Sequence, residues 1–184
     1  PNTSYFQFRV IDDAAEAPGN QYGGDMWGLY MTIEHLNSAF IDEHDLPDGN
    51  IYKMQGGADK KNQGAPEPTD TSDVDSFRAA VRSFQTVQWW LANTDLEALY
   101  TFKALNRAMN NADLRDNFNF LWYHRPDTDQ WVPIPWDMDM LFPETTHIWP
   151  ATIVAVENVV NQHPELRIEF QARAREMIRT VERD

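Results

Sequence analysis

The chain has 184 residues, 42% of them hydrophobic, with 7 Trp, 10 Phe and 6 Tyr. That is enough for one globular domain with a real core, and it excludes a disordered tail. A formal net charge of −14 excludes binding nucleic acid through its phosphates, which needs a basic surface, and it fits a site that gathers cations. The absence of cysteine removes disulfides, thiolate nucleophiles and thiolate-held zinc. No apolar run reaches the length of a membrane span.

Residues 5–11, YFQFRVI, alternate and are rich in β-formers, which predicts a strand. Because structure begins so early, the chain is expected to be a piece of a longer protein. A turn-rich connection over 12–25 closes on Gly23-Gly24-Asp25, and 26–36 return as the second strand of an antiparallel hairpin with Glu34 near its end. Residues 37–45 predict a short helix started by Asn37 or Ser38, with Phe40 and Ile41 turned inward. After a turn, IYKM at 51–54 is a third strand carrying Lys53.

Residues 55–73 contain almost no large apolar group and read as a flexible loop. From Val74 the pattern turns helical. One stripe holds Phe77, Val81, Phe84 and Val87 or Gln88; a second, opened by Thr94 or Asp95 as N-cap, holds Leu96, Leu99, Phe102, Leu105 and Met109. Residues 117–124 and 131–140 flank a turn and predict a second hairpin. The tail from Val154 to Val181 is helical, with a break near His163-Pro164. The fold class is therefore α+β, in one domain with hairpins and packed helices.

The chemistry-bearing residues gather around the second hairpin. Asn111, Asp113, Asp116, Asn117 and Asn119 lie in a helix-to-strand connection, and Asp137 and Asp139 lie at the end of the strand beside it. Two residues apart on a strand face the same way, so the two aspartates share a face if the strand persists. Hard oxygen ligands without cysteine suit Mg²⁺ or Mn²⁺. The plainer alternative is that these groups cap, turn and stay solvated. Against it, Asp137 sits between Trp136 and the apolar Met140-Leu141-Phe142, which is expected to tuck the strand end into the core. Glu34 and Lys53 form either a surface ion pair or, for Lys53 between a turn and a Gly-rich stretch, a phosphate contact. No H-E-x-x-H, G-x-S-x-G or P-loop pattern occurs.

Residues 27–41, 49–54, 110–124 and 131–142 occur in the order and spacing of the spore coat protein H (CotH) kinase family. The chain resembles that family through G-x-Y-x-x-x-E at 28–34, G-N-x-Y-K at 49–53, N-x-D at 111–113, an Asn-aromatic strand and P-W-D-x-D at 135–139. The resemblance implies a diverged protein-kinase-like fold, of which the N-terminal part is expected to be missing here. It implies transfer of phosphate from ATP, with Mg²⁺ or Mn²⁺, to Ser or Thr hydroxyls of a protein substrate, in an extracellular, cell-surface or spore-associated setting. Asp113 then matches the catalytic aspartate, Asn119 and Asn117 the metal-binding amides, and Asp137 the metal-binding aspartate with Asp139 beside it. Lys53 and Glu34 match the residues near the nucleotide phosphates. The chain departs from the pattern in carrying Met140-Leu141-Phe142 after the second aspartate and in lacking a histidine before the strand asparagine. A catalytically inactive interaction protein, or a cation-binding module without nucleotide, are the competing readings.

Overall fold

The computed structural model describes residues 2–10, 25–143 and 153–181. The chain divides into two compact units, Pro1–His44 and Asp45–Asp184. In the first unit, strands β1 (Thr3–Val10) and β2 (Asp25–Ile33) pair antiparallel, with Thr3 opposite Ile33 and Phe6 opposite Tyr30. Phe6 and Tyr30 stack at 5.8 Å, the cross-strand contact that β-formers on one face provide. The hairpin matches the sequence pattern, and positions 12–24 of its expected connection lie outside the described residues. Helix α1 (Ser38–Glu43) starts at Asn37, whose side chain accepts from the Ala39 N–H at 3.0 Å, and buries Phe40 and Ile41.

The second unit is built on a four-stranded antiparallel sheet in the order β4-β3-β5-β6: β3 (Ile51–Gln55), β4 (Ala58–Asn62), β5 (Phe118–Arg125) and β6 (Gln130–Pro135). Five helices accompany it among the described residues: α2 (Ser72–Ala80), α3 (Val87–Asn93), α4 (Leu96–Ala108), α5 (Val154–Gln162) and α6 (Pro164–Val181). Tyr52, Met54, Phe120 and Trp122 leave one sheet face and enter the same core as Phe77, Trp90, Leu99 and Phe102 from the helices. Phe77 stacks on Trp131 at 4.9 Å and meets Trp122 edge-on at 5.0 Å, arrangements worth about 0.5–1.5 kcal/mol each beyond the buried area. Lys103 of α4, only 8% exposed, pairs with Glu157 and ties α4 to α5. Pro133 and Pro135 lie on the edge strand β6, whose Trp131 carbonyl accepts from the Asp95 N–H at 3.2 Å. The other edge, β4, carries Lys60 and Lys61.

Two sequence expectations change here. The single helical stretch from Val74 onward divides into α2 and α3. Gln85 and Ser83 donate to the Ala80 carbonyl, and Thr86 caps α3 by accepting from the Trp89 N–H at 3.1 Å, so local side-chain bonds replace helical ones. Residues 55–73 are not a featureless loop. They contain β4, and the turn after it is held by polar bonds rather than apolar burial. Asn50 accepts from the Gly64 N–H at 3.0 Å, and Asn62 donates to the Asp48 carboxylate at 3.0 Å and the Gly49 carbonyl at 2.8 Å.

Candidate functional site

Helix α4 begins at Asp95, whose carboxylate accepts from the Ala98 N–H at 2.9 Å, and its far end delivers the acidic connection. Asn111, buried, donates to the Asn106 side chain at 2.8 Å and accepts from the Asp113 N–H at 3.1 Å, which fixes the start of the loop. Asn119 occupies a bulge in β5: Met54 pairs with Phe120, whereas Gln55 pairs with Phe118. Released from the ladder and 4% exposed, Asn119 donates to the Asp113 carboxylate at 2.8 Å and its carbonyl at 3.2 Å. Its own carboxamide oxygen stays available to a cation. Asp113 keeps an open side, 35% exposed, with the Arg115 guanidinium 3.6 Å from its second oxygen.

Strand β6 stops at Pro135, so Asp137 and Asp139 are not strand neighbours sharing a face, contrary to the sequence expectation. The ladder with β5 runs through Pro133 to Pro135 and no further, and Asp137 takes a left-handed φ of 55°, which no regular strand residue adopts. Both aspartates are exposed. Nor does Met140-Leu141-Phe142 enter the core, since Met140 is 46% and Phe142 68% exposed. This segment is instead stitched to the end of α4. The Ala112 N–H donates to the Met140 carbonyl, and the Phe142 N–H to the Met109 carbonyl, both at 2.9 Å. The two acidic stretches are thereby brought together through their backbones. Of the six non-glycine residues with positive φ among the described residues, Asn110, Asn119, Asp137 and Phe142 fall in this pair of loops. Such backbone strain persists only where surrounding contacts impose it, and it concentrates at functional sites.

Asn117 has another task. Its carboxamide oxygen accepts from Arg78 and its backbone carbonyl from the Gly56 N–H at 2.8 Å. Asp116 accepts from Arg82 at 2.5 Å and from the Val154 N–H at 2.9 Å. Arg78 and Arg82 of the α2 region thus strap the connection from behind. The sequence reading missed them, although two cations four apart on an amphipathic stretch of an acidic chain were a usable signal.

Lys53 holds its ammonium 5.1 Å from the ring centre of Trp136, the residue before Asp137 in the chain. Glu34, in the first unit, accepts from the Asn2 N–H at 2.6 Å and meets His44 Nε2 at 3.0 Å. The Asn2 amide, then the His44 hydrogen bond, hold its carboxyl below the usual range.

The donors near Asp113 are hard oxygens, which fits Mg²⁺. Among the described residues, the one trio of carboxylate and imidazole atoms within 4.8 Å of one another is Glu67, Asp73 and His124, so Asp113, Asp137 and Asp139 form no closed cage. An open arrangement suits an ion that takes one or two carboxylates and completes its shell with water and phosphate oxygens. A cleft of about 490 Å³ opens between α4, β6 and α6, and Met109, Pro135 and Met138 on its wall adjoin these loops.

An α+β chain with an amide-clamped aspartate beside a second acidic turn is the class that fold and site define. Residues 2–181 match the family model described as CotH kinase protein, and the chain belongs to that family. No curated protein sequence matches it.

Proposed function

We propose that this chain is the phosphotransfer unit of a CotH-type kinase with a diverged kinase-like fold, using ATP and Mg²⁺ (or Mn²⁺) to phosphorylate Ser or Thr hydroxyls of a protein. The observation that carries the reading is the stitching of the 137–142 segment onto the 109–113 loop, with Asp113 held by Asn119. Asp113 accepts the hydroxyl proton through its open carboxylate edge as the new oxygen–phosphorus bond forms and the bond to ADP breaks. Asn119 orients that carboxylate, and its own carboxamide oxygen and Asp137 would hold the metal, with Asp139 adjacent. The bound ion supplies neutralisation of phosphate charge. Lys53, steadied over Trp136, adds a second positive charge in a chain whose overall field repels nucleotides. Glu34 as a partner of the nucleotide end, and a secreted or spore-surface setting, belong to the same proposal. Among the described residues no helix is long and apolar enough to cross a membrane.

The test is transfer of labelled γ-phosphate to a generic protein acceptor, with Asp113→Asn and Asp137→Asn compared at matched folding. Loss of at least about 10²-fold in each is expected, the range of general-base and electrostatic contributions. Transfer unaffected by both changes refutes the site. The inactive-protein reading is favoured by the exposed Met140 and Phe142 beside the acidic turn. It predicts no thermal shift with millimolar Mg²⁺–ATP, whereas binding at about a hundredfold excess over Kd stabilises by about 2.7 kcal/mol.

A further inference from the structure

A second group of ligating side chains lies away from the acidic loops. Glu67, Asp73 and His124 come from the turn after β4, the first turn of α2 and strand β5, and one donor atom of each lies within 4.8 Å of the others. His124 Nδ1 is 2.9 Å from Glu67 Oε2 and 3.9 Å from Asp73 Oδ2. These are not surface acids: the three side chains are 10%, 9% and 7% exposed for His124, Glu67 and Asp73.

Two of the three members are held by further partners. His124 Nε2 faces Asp129 Oδ1 at 3.0 Å, and the ring lies flat on Trp131 at 4.3 Å. Asp73 accepts from the Tyr52 hydroxyl at 2.6 Å, the Asn50 amide at 2.9 Å and the Val74 N–H at 2.7 Å. A carboxylate behind the outer nitrogen of a histidine, with further donors behind the ligating carboxylate, is how proteins aim ligands at a metal.

The charges press the same way. In the tautomer that donates Nε2–H to Asp129, the Nδ1 lone pair faces Glu67 Oε2 at 2.9 Å, an arrangement that a metal ion between them satisfies. A divalent ion offsets the two buried carboxylates together. Lys60, the neighbouring ammonium, is directed to the Pro68 carbonyl at 2.6 Å and Gln63 at 2.7 Å.

We propose that Glu67, Asp73 and His124 form a structural site for a divalent transition-metal ion, Zn²⁺ in the first instance and Mn²⁺ in the second. The imidazole favours these ions over Mg²⁺ and Ca²⁺. Bonds of about 2.0–2.2 Å place tetrahedral donors roughly 3.3 Å apart, and the observed 2.9 and 3.9 Å bracket that spacing. The ion pins the turn after β4 to α2 and β5. It stands whether or not the chain transfers phosphate.

The experiment is titration of the chelator-treated chain with Zn²⁺, and separately Mn²⁺, followed by calorimetry and thermal melting; Co²⁺ absorption reports the coordination. One Zn²⁺ per chain is expected, with a rise in Tm of about 5–10 °C at roughly a hundredfold excess over Kd. Glu67→Gln and Asp73→Asn should each weaken Zn²⁺ binding at least about tenfold, and Asp137→Asn should leave Zn²⁺ binding unchanged. Absence of stoichiometric binding, or binding that survives the Glu67→Gln/Asp73→Asn double change, overturns the proposal. Because both variants keep hydrogen-bonding groups of the same size, a fold check by circular dichroism separates ligand loss from unfolding.

Discussion

Replacing Asn119 tests the clamp on Asp113 most directly. Asn119 is buried and makes two hydrogen bonds to Asp113, one of them to the carboxylate at 2.8 Å. A bond to a charged group contributes about 1.5–3 kcal/mol. The residue also sits at φ 64°, a left-handed conformation that asparagine tolerates and alanine resists by about 1 kcal/mol. Asn119→Ala should therefore cost about 3 kcal/mol. Asn119→Gly loses the same bonds without the Cβ penalty and should cost about 1 kcal/mol less. Inside an ordinary strand the order is opposite, since glycine is worse than alanine by about 0.5–1 kcal/mol. The assay is urea unfolding of the three chains, with the slope m compared to confirm that midpoints report stability. An alanine variant as stable as the glycine variant refutes the bulge geometry.

Further perturbations reach other parts of the second unit. Phe77→Ala opens the space between Trp131 and Trp122 and should destabilise by about 3–5 kcal/mol, with loss of near-ultraviolet circular dichroism. At Gly49 an added Cβ would stand 1.9 Å from the His124 carbonyl oxygen, so Gly49→Ala should cost about 3 kcal/mol or more, read from the urea midpoint. Burial pushes the Tyr123 phenol up to about 12. Its folded value exceeds the unfolded value of about 10, so its contribution is complete below about pH 10 and is lost as pH rises through 12. Urea midpoints across that window should fall less steeply in Tyr123→Phe than in the parent chain.

What could be read in the sequence was whatever local chemistry decides. Alternation set both hairpins, Asn37 and Asp95 set helix starts, and His163-Pro164 set the break between the last two helices. The nearness of Asp113 and Asn119 in one connection was legible, but not the hydrogen bond between them. Features imposed by distant partners were hidden. Ala58–Asn62 has no β-former, and it becomes a strand because β3 pairs with it. Residues 81–86 carry helical spacing, yet Gln85 and Thr86 break the helix with side-chain bonds. Asp137 looked like a strand residue, but β6 ends at Pro135 and Asp137 turns at a left-handed φ. The meeting of Glu67, Asp73 and His124 depends on three elements far apart in the chain, and no spacing rule announces it.

The borders of the four-stranded sheet bear on how an acceptor can be recognised. An extended peptide commonly docks by lengthening a sheet, taking its register from a row of unused backbone groups. Here β6 offers no donor at Pro133 or Pro135, and its Trp131 carbonyl is already capped by Asp95. On the opposite border, the lysines of β4 discourage an added strand. Under the proposed function, a protein acceptor at Asp113 is not aligned by main-chain pairing with this sheet. A peptide library is then expected to reveal preferences by residue type, and methylation of the peptide's backbone amides to leave turnover unchanged.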